Sequence, residues 1–230
     1  QDIVNRFNTA STTLNRQQSD INSNIEGEVK SVNQLLSGIS DLNQQILKAP
    51  KNSDGTSLNL MDQRDEMIRQ LAEKMDIRTV AQDNGTTLVN LASGESLVLA
   101  NGPATVGVTK GDPDATQTGL QVTIGTSSSS ISSNVGGTIG GYYQARDALA
   151  PTQREVGQLA LALADAMNQQ NSKGMTPNST LGGDLFTLPT TNGLPSAKNA
   201  GTGAITASLI PGQGSQLTPN DFQVEFTSSS

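Results

Sequence analysis

Apolar residues recur along the first 49 positions at alternating steps of three and four. One lane runs Val4, Ser11, Gln18, Ile25, Val32, Ile39 and Ile46, and a second, three residues ahead, runs Phe7, Leu14, Ile21, Glu28, Leu35, Leu42 and Ala49. Eleven of these fourteen positions are apolar, and the alternating steps keep both lanes on one face of an α-helix. β-Branched residues dominate one lane and Leu is frequent in the other, the pattern of a coiled-coil-like seam. The spacing predicts a helix over residues 4–46, roughly 65 Å long at 1.5 Å per residue, ended by Lys48, Ala49 and Pro50. Ser11, Gln18 and Glu28 interrupt the seam. Either they fix register or open to another subunit, or they are simply exposed where no helix covers them. Gly27 and Gly38 each weaken a helix by about 1 kcal/mol relative to Ala, and Gly27 marks a candidate soft point.

A loop is expected through Asn52, Ser53, Asp54 and Gly55. Helical spacing then returns with Leu60, Arg64, Met67, Ile68, Leu71 and Met75, predicting a second helix over about 59–74 whose early acids complement its dipole. From Ile77 the period becomes that of strands. Residues 77–82 and 86–91 read as a hairpin about Asp83-Asn84-Gly85, since Asn-Gly supplies the positive φ angles of a tight turn. Further short strands are predicted at 97–99, 105–108 and 120–124, so the β insertion covers about 77–124. The Ser-rich stretch 126–134 has little to bury and reads as a mobile loop.

A third helical segment is predicted from Gly137 to about Asn171, and in it Pro151 either kinks the helix or opens a new one. Its Leu159 and Leu163, with Leu71 of the second helix, are expected to complete the packing seam of Val4, Phe7, Leu14, Ile21, Ile25, Val32, Leu35, Ile39, Leu42 and Ile46. Beyond Gly174 the chain is dense in Gly, Pro, Asn and Thr, with short strands expected at 204–210 and 222–226. The fold class expected is α+β: an elongated helical bundle over 1–174 with a small sheet inserted, followed by the start of a β-rich outer domain over 175–230.

Composition narrows the function. Aromatics make up 3% of the chain and Trp is absent, so packing must rest on aliphatic seams. The net charge of −7 offers no basic surface to release counterions from phosphates, and neither nucleic acid nor an anionic membrane is an expected partner. With no Cys and no His, disulfides, thiolate nucleophiles, Cys-ligated zinc and imidazole bases are excluded. No run of about 18 apolar residues is present for a membrane span, and membrane insertion is not expected. The start without Met inside a heptad pattern, and the end in Thr227-Ser228-Ser229-Ser230, lead us to expect a piece of a longer chain.

Three polar motifs invite chemistry. Asp62, Asp65 and Glu66 could serve as acid–base or metal groups, but with Arg64 between them they are better read as helix-end charge compensation or an ion-pair network. Gly136-Gly137-Thr138-Ile139-Gly140-Gly141 is superficially like a phosphate loop, yet its spacing matches neither the dinucleotide fingerprint nor the Walker loop. A close helix start against the rod is the expectation. Asp112-Pro113-Asp114 lacks the other ligands of a calcium loop and reads as a turn. Asn84-Gly85-Thr86 and Asn178-Ser179-Thr180 fit the glycosylation pattern, which is frequent by chance in such a chain. No catalytic, cofactor-binding or metal residue is assigned, and no cofactor is expected.

Three segments match one family in order and spacing. They are Leu60-Met61-Asp62-Gln63-Arg64-Asp65 followed by Leu71; the glycine motif followed by Arg146-Asp147; and Leu159-Ala160-Leu161-Ala162-Leu163-Ala164 with Asn168 and then Gly182-Gly183-Asp184-Leu185-Phe186. The set resembles the middle of the bacterial flagellar hook-associated protein 1 family, the hook–filament junction proteins, over nearly the whole chain, most weakly in the Ser-rich stretch and after Leu194. The resemblance implies an extracellular axial protein of the flagellum, exported through the type III apparatus. It would assemble as a ring of copies of itself, between the hook protein and a second junction protein on the filament side. It further implies that both terminal segments of the family are missing here, so that the chain alone is monomeric, and that Arg64 pins the second helix against the long one. A secreted coiled-coil adhesin or interaction module would share the acidic, Cys-free composition. The three ordered motifs set the junction family apart from it.

Overall fold

The computed structural model describes residues 2–49, 56–196, 199 and 201–225, so the loop expected at 52–55 lies outside the described residues. Helix α1 (Asp2–Lys48) is unbroken through Gly27 and Gly38. Helix α2 (Thr56–Lys74) begins three residues before its predicted start. Seven strands follow: β1 (Ile77–Ala81), β2 (Thr87–Leu91), β3 (Ser96–Leu99), β4 (Gly102–Pro103), β5 (Thr105–Lys110), β6 (Thr118–Ile124) and β7 (Ser127–Ile131). They form two antiparallel sheets, β1-β2-β3-β4 and β5-β6-β7. Helix α3 (Gly137–Ser172) runs through Pro151 as one helix, so no new helix opens at that proline. A two-stranded sheet, β8 (Thr190–Asn192) with β9 (Thr206–Ser208), and one 3-10 turn, Gly214–Gln216, complete the described elements. The fold is α+β.

The Ser-rich stretch is a strand and not a loop. Leu120 to Ile124 of β6 pair residue for residue with Ile131 to Ser127 of β7, and a strand at a sheet edge needs only its backbone to be paired on one side. Ile131 is buried and anchors it. The sheet insertion therefore extends to residue 131, beyond the expected 124. Toward the C-terminus, β9 is shorter than predicted, and residues 222–225 form no strand; Phe226 lies outside the described residues.

By contacts the chain divides into two compact units, Gln18–Arg146, and Gln1–Gln17 with Asp147–Ser230. In the first, one cluster unites Ile25, Val29, Val32, Leu35, Leu36 and Ile39 of α1 with Leu71 and Met75, with inward residues of both sheets such as Val89, Leu97, Val106 and Leu120, and with Ile139 and Tyr143 at the start of α3. Among the described residues every buried hydrophobic side chain lies between Ile25 and Tyr143. The second unit has a different composition inside. Among its described residues the buried ones are Asp165, Asn168 and Gly214.

Candidate functional site

The seam residues separate into two groups. Ile25, Val32, Leu35, Ile39, Leu42, Ile46 and Leu71 are buried; Phe7, Leu14, Ile21 and Leu163 are half-buried; Val4 and Leu159 are exposed, at 41% and 60%. Both belong to the unit in which no hydrophobic side chain is buried among the described residues. Conversely, Val29 and Leu36 are buried on α1 although neither belongs to the two predicted lanes. They form a third lane with Asn22 and Asn43 at heptad spacing, since α1 packs against sheets as well as helices and a core-facing stripe is wider than a two-lane coiled-coil seam.

The wider core-facing stripe of α1 also carries asparagines with a definite task. Asn43 donates from Nδ2 to the Thr87 carbonyl at 2.8 Å and accepts the Thr87 N–H at 3.1 Å. Asn33 does the same for Val106, at 2.8 and 2.9 Å. Each asparagine satisfies both main-chain groups of one strand residue that the ladder leaves unpaired, and so each fastens one sheet to α1. Glu28, one of the open cases in the seam, pairs with Lys74 of α2 at 2.6 Å. Ser11 is exposed, and the Gln18 Nε2 is buried without a partner.

Of the family-like motif residues in the first unit, Arg64, Gly136, Gly137 and Arg146 lie at backbone junctions. Leu60 is half-buried and Asp62 exposed. Arg64 is buried and donates to the Gly85 carbonyl at 2.7 Å and to Asp65 Oδ1 at 2.9 and 3.1 Å. It therefore pins α2 to the β1–β2 turn, and not to the long helix as expected, because its fork reaches the carbonyl exposed by that turn. Next to it, Arg69 bridges Glu66, at 2.7 Å, and Glu73. Its hydrogen bond to Glu66, aided by Gln70, holds that carboxyl down to about 2, so these acids form an ion-pair network on the helix surface.

Gly136 and Gly137 have φ of +63° and +56°. A Cβ on Gly137 would lie 2.5 Å from the Lys74 carbonyl carbon, and one on Gly136 would lie 2.1 Å from the Asp76 carboxyl. The α3 N-terminus is thus seated on the end of α2, with Asp76 N–H bonded to the Val135 carbonyl at 2.6 Å and Thr138 Oγ1 to the Glu73 carbonyl at 3.0 Å. Gly140 and Gly141 have no such crowding. Arg146 donates to the Thr118 carbonyl at 3.1 Å and lies 4.7 Å over the Tyr143 ring. Burial pushes the Tyr143 phenol up to about 12 against the opposing charge of Arg146. In the β5–β6 turn, burial raises Asp114, but hydrogen bonds from Thr116 and Gln117 outweigh it and leave the carboxyl below its ordinary value.

In the second unit Asp147 is exposed, and α3 binds later segments by their backbone. The Asn168 Oδ1 accepts the N–H groups of Leu185 and Phe186, both at 2.9 Å, while its Nδ2 donates to the Phe186 carbonyl at 2.7 Å. Asp165 accepts from Gly212 and Gly214, both at 2.8 Å. Asn171 donates to Gly183, and a Cβ on Gly182 would come within 2.2 Å of the Asn171 carbonyl oxygen. Phe186 is half-buried.

Among the described residues no cluster of three or more Asp or Glu is placed to hold a metal, and no helix is long and apolar enough to cross a membrane. Of the polar side chains singled out by their spacing, Arg64, Arg146 and Asn168 each fasten one backbone segment to another, while Asp62 and Asp147 are exposed. Asparagines, glycines and two arginines thus stand where helices meet sheets and loops.

The chain belongs to the family described as the flagellar hook-associated protein FlgK helical domain, which it matches over residues 1–186. It is 30% identical over 230 residues to the flagellar hook-associated protein 1 of Escherichia coli strain K12, covering 97% of this chain and 42% of that one. It is 26% identical over 244 residues to the protein of the same name from Bacillus subtilis strain 168, covering 94% and 48%. Among solved structures, the flagellar hook junction protein FlgK from Burkholderia pseudomallei superposes with a TM-score of 0.74 at 26% identity, over 84% of this chain and 36% of that one. The chain thus spans less than half the length of these relatives.

Proposed function

We propose that this chain is a structural part of the flagellar hook–filament junction, working by subunit packing and without catalysis. The match to the helical domain family over residues 1–186 carries this reading, and the use of the motif residues as backbone fasteners supports it. In this reading residues 1–174 act as the rod, with the sheet insertion on it, and residues 175–230 enter an outer β-rich domain. The seam residues Val4, Phe7, Leu14, Ile21, Leu159 and Leu163 contribute to packing within the assembled protein. The partners are neighbouring copies in a ring, the hook protein below, and a second junction protein above. The location is extracellular, on the flagellum. The test is genetic: cells lacking the full-length protein should build hooks without attached filaments, and restoring it should restore filaments and swimming. Filaments that attach normally in the deletion strain would overturn the proposal.

A further inference from the structure

The β5-β6-β7 sheet has two free edges, and they complement each other. On β5, main-chain groups alternate between the ladder and the outer edge. Gly111 N–H bonds to Gln117 across the β5–β6 connection, so the odd-numbered residues of β5 face β6, and Val106, Val108 and Lys110 face outward. Val106 is closed off by Asn33. Val108 and Lys110 line an open groove of about 440 Å³ between β5 and α1, with Ser23 and Glu26 on its helical wall. On β5 the groove begins at Val108, two residues beyond the one that Asn33 clamps. Asn22, which also lines it, donates to the Thr116 carbonyl at 2.9 Å, while its Oδ1 is buried without a hydrogen-bond partner. Asn22 makes one of the two bonds that Asn33 and Asn43 make in full, because the Thr116 N–H is taken by Asp114 Oδ1 at 2.9 Å. From Asn22 to Asn33 the helix advances about 16 Å, the length of about five extended residues.

The opposite edge fits that space. Residues 127, 129 and 131 of β7 pair toward β6 by the same alternation, which leaves the main-chain groups of Ser128 and Ser130 pointing outward. Ser127 to Ser130 are all exposed, and the strand bears no charge, proline or bulky side chain of the kind that usually guards an edge. Its small hydroxyl side chains suit a narrow polar groove.

We propose that β7 of one copy of this chain adds to the β5 edge of the next, entering the groove beside α1 and pairing with the outward main-chain groups of Val108 and Lys110. Because β5 and β7 both run antiparallel to β6, copies related by a small rotation pair these strands in parallel. The contact is heterologous, and repeated rotation closes it into a ring. The inference deepens the junction reading, which supplies the neighbouring copy, but its test is made in solution. A two-residue edge contact is smaller than the roughly 800 Å² per partner of a stable interface, so it should be trapped covalently.

The chain has no Cys, and exposed positions accept one. Lys110→Cys combined with Ser128→Cys, and Lys110→Cys with Ser130→Cys, put a thiol on each edge. Within one molecule β5 and β7 are two strand spacings apart, about 9.5 Å, beyond the roughly 7 Å that a disulfide spans. Mild oxidation of the concentrated protein should give a ladder of trimers and larger species from at least one pair. Each single variant should stop at dimers, and the control pair Lys110→Cys with Ser93→Cys should give only background. Circular dichroism of the reduced variants establishes that they fold. No ladder from either edge pair, or an equal ladder from the control, would overturn the edge pairing while leaving the junction reading to its genetic test.

Discussion

Asn43 and Asn33 each hold both main-chain groups of a buried strand residue, so their removal should matter more than their polarity implies. Asn43→Ala leaves the Thr87 N–H and carbonyl unsatisfied, and each such group costs about 1–3 kcal/mol. Thermal unfolding should show a clear drop in Tm for Asn43→Ala and none for Ser129→Ala on the exposed edge. Glycines divide in the same way. Gly137→Ala forces a Cβ into the Lys74 backbone at a positive φ and should be strongly destabilising, whereas Gly141 has open space around it, and Gly141→Ala should stabilise by up to about 1 kcal/mol. At Tyr143 the folded phenol titrates near 12 and an unfolded one near 10. Between those values the unfolded chain loses its proton first, so this residue's stabilisation is intact below pH 10 and is lost as pH rises toward 12. Tyr143→Phe should flatten that part of the stability profile; an unchanged profile would contradict the assignment.

Among elements, α1 decides how the core is built. Leu36→Ala and Leu35→Ala should each cost about 2–5 kcal/mol, Leu163→Ala less because Leu163 is half-buried, and Leu159→Ala close to nothing. The helices were legible because apolar residues recur at their period, and the β1–β2 hairpin because Asn84-Gly85 announces its turn. The third lane of α1 was harder to read, since Asn22 and Asn43 break the apolar repeat. The available signal was spacing: Asn33 sits between Val29 and Leu36, and Asn43 between Ile39 and Ile46, each four residues after and three before a buried residue. β7 gave no local signal because serines neither alternate in polarity nor favour strands; its pairing to β6 is a tertiary effect. Arg64 was recognisable as a fastener, but its acceptor, a turn carbonyl 21 residues on, is set only by the fold.

For the molecule as a whole, the two compact units should differ in local stability. All buried hydrophobic side chains among the described residues belong to the unit 18–146, while the segments around 185–217 are held to α3 by side-chain bonds to backbone. Hydrogen exchange should be slowest in β2, β6 and α1 between Ile25 and Ile46, and much faster over 185–217. Equal protection in both would contradict this reading.

The central claim is that the protein joins others through its surfaces. Asp83 and Glu26 are exposed, one in the β1–β2 turn and one on the α1 side of the groove beside β5, and neither belongs to the buried core. The most direct measurement is filament attachment and swimming in cells whose full-length protein carries Asp83→Lys or Glu26→Lys, with circular dichroism and Tm of the same variants as folding controls. The account predicts folded variants whose filaments detach and whose swimming is impaired. Firmly attached filaments and normal swimming with both reversals would contradict it.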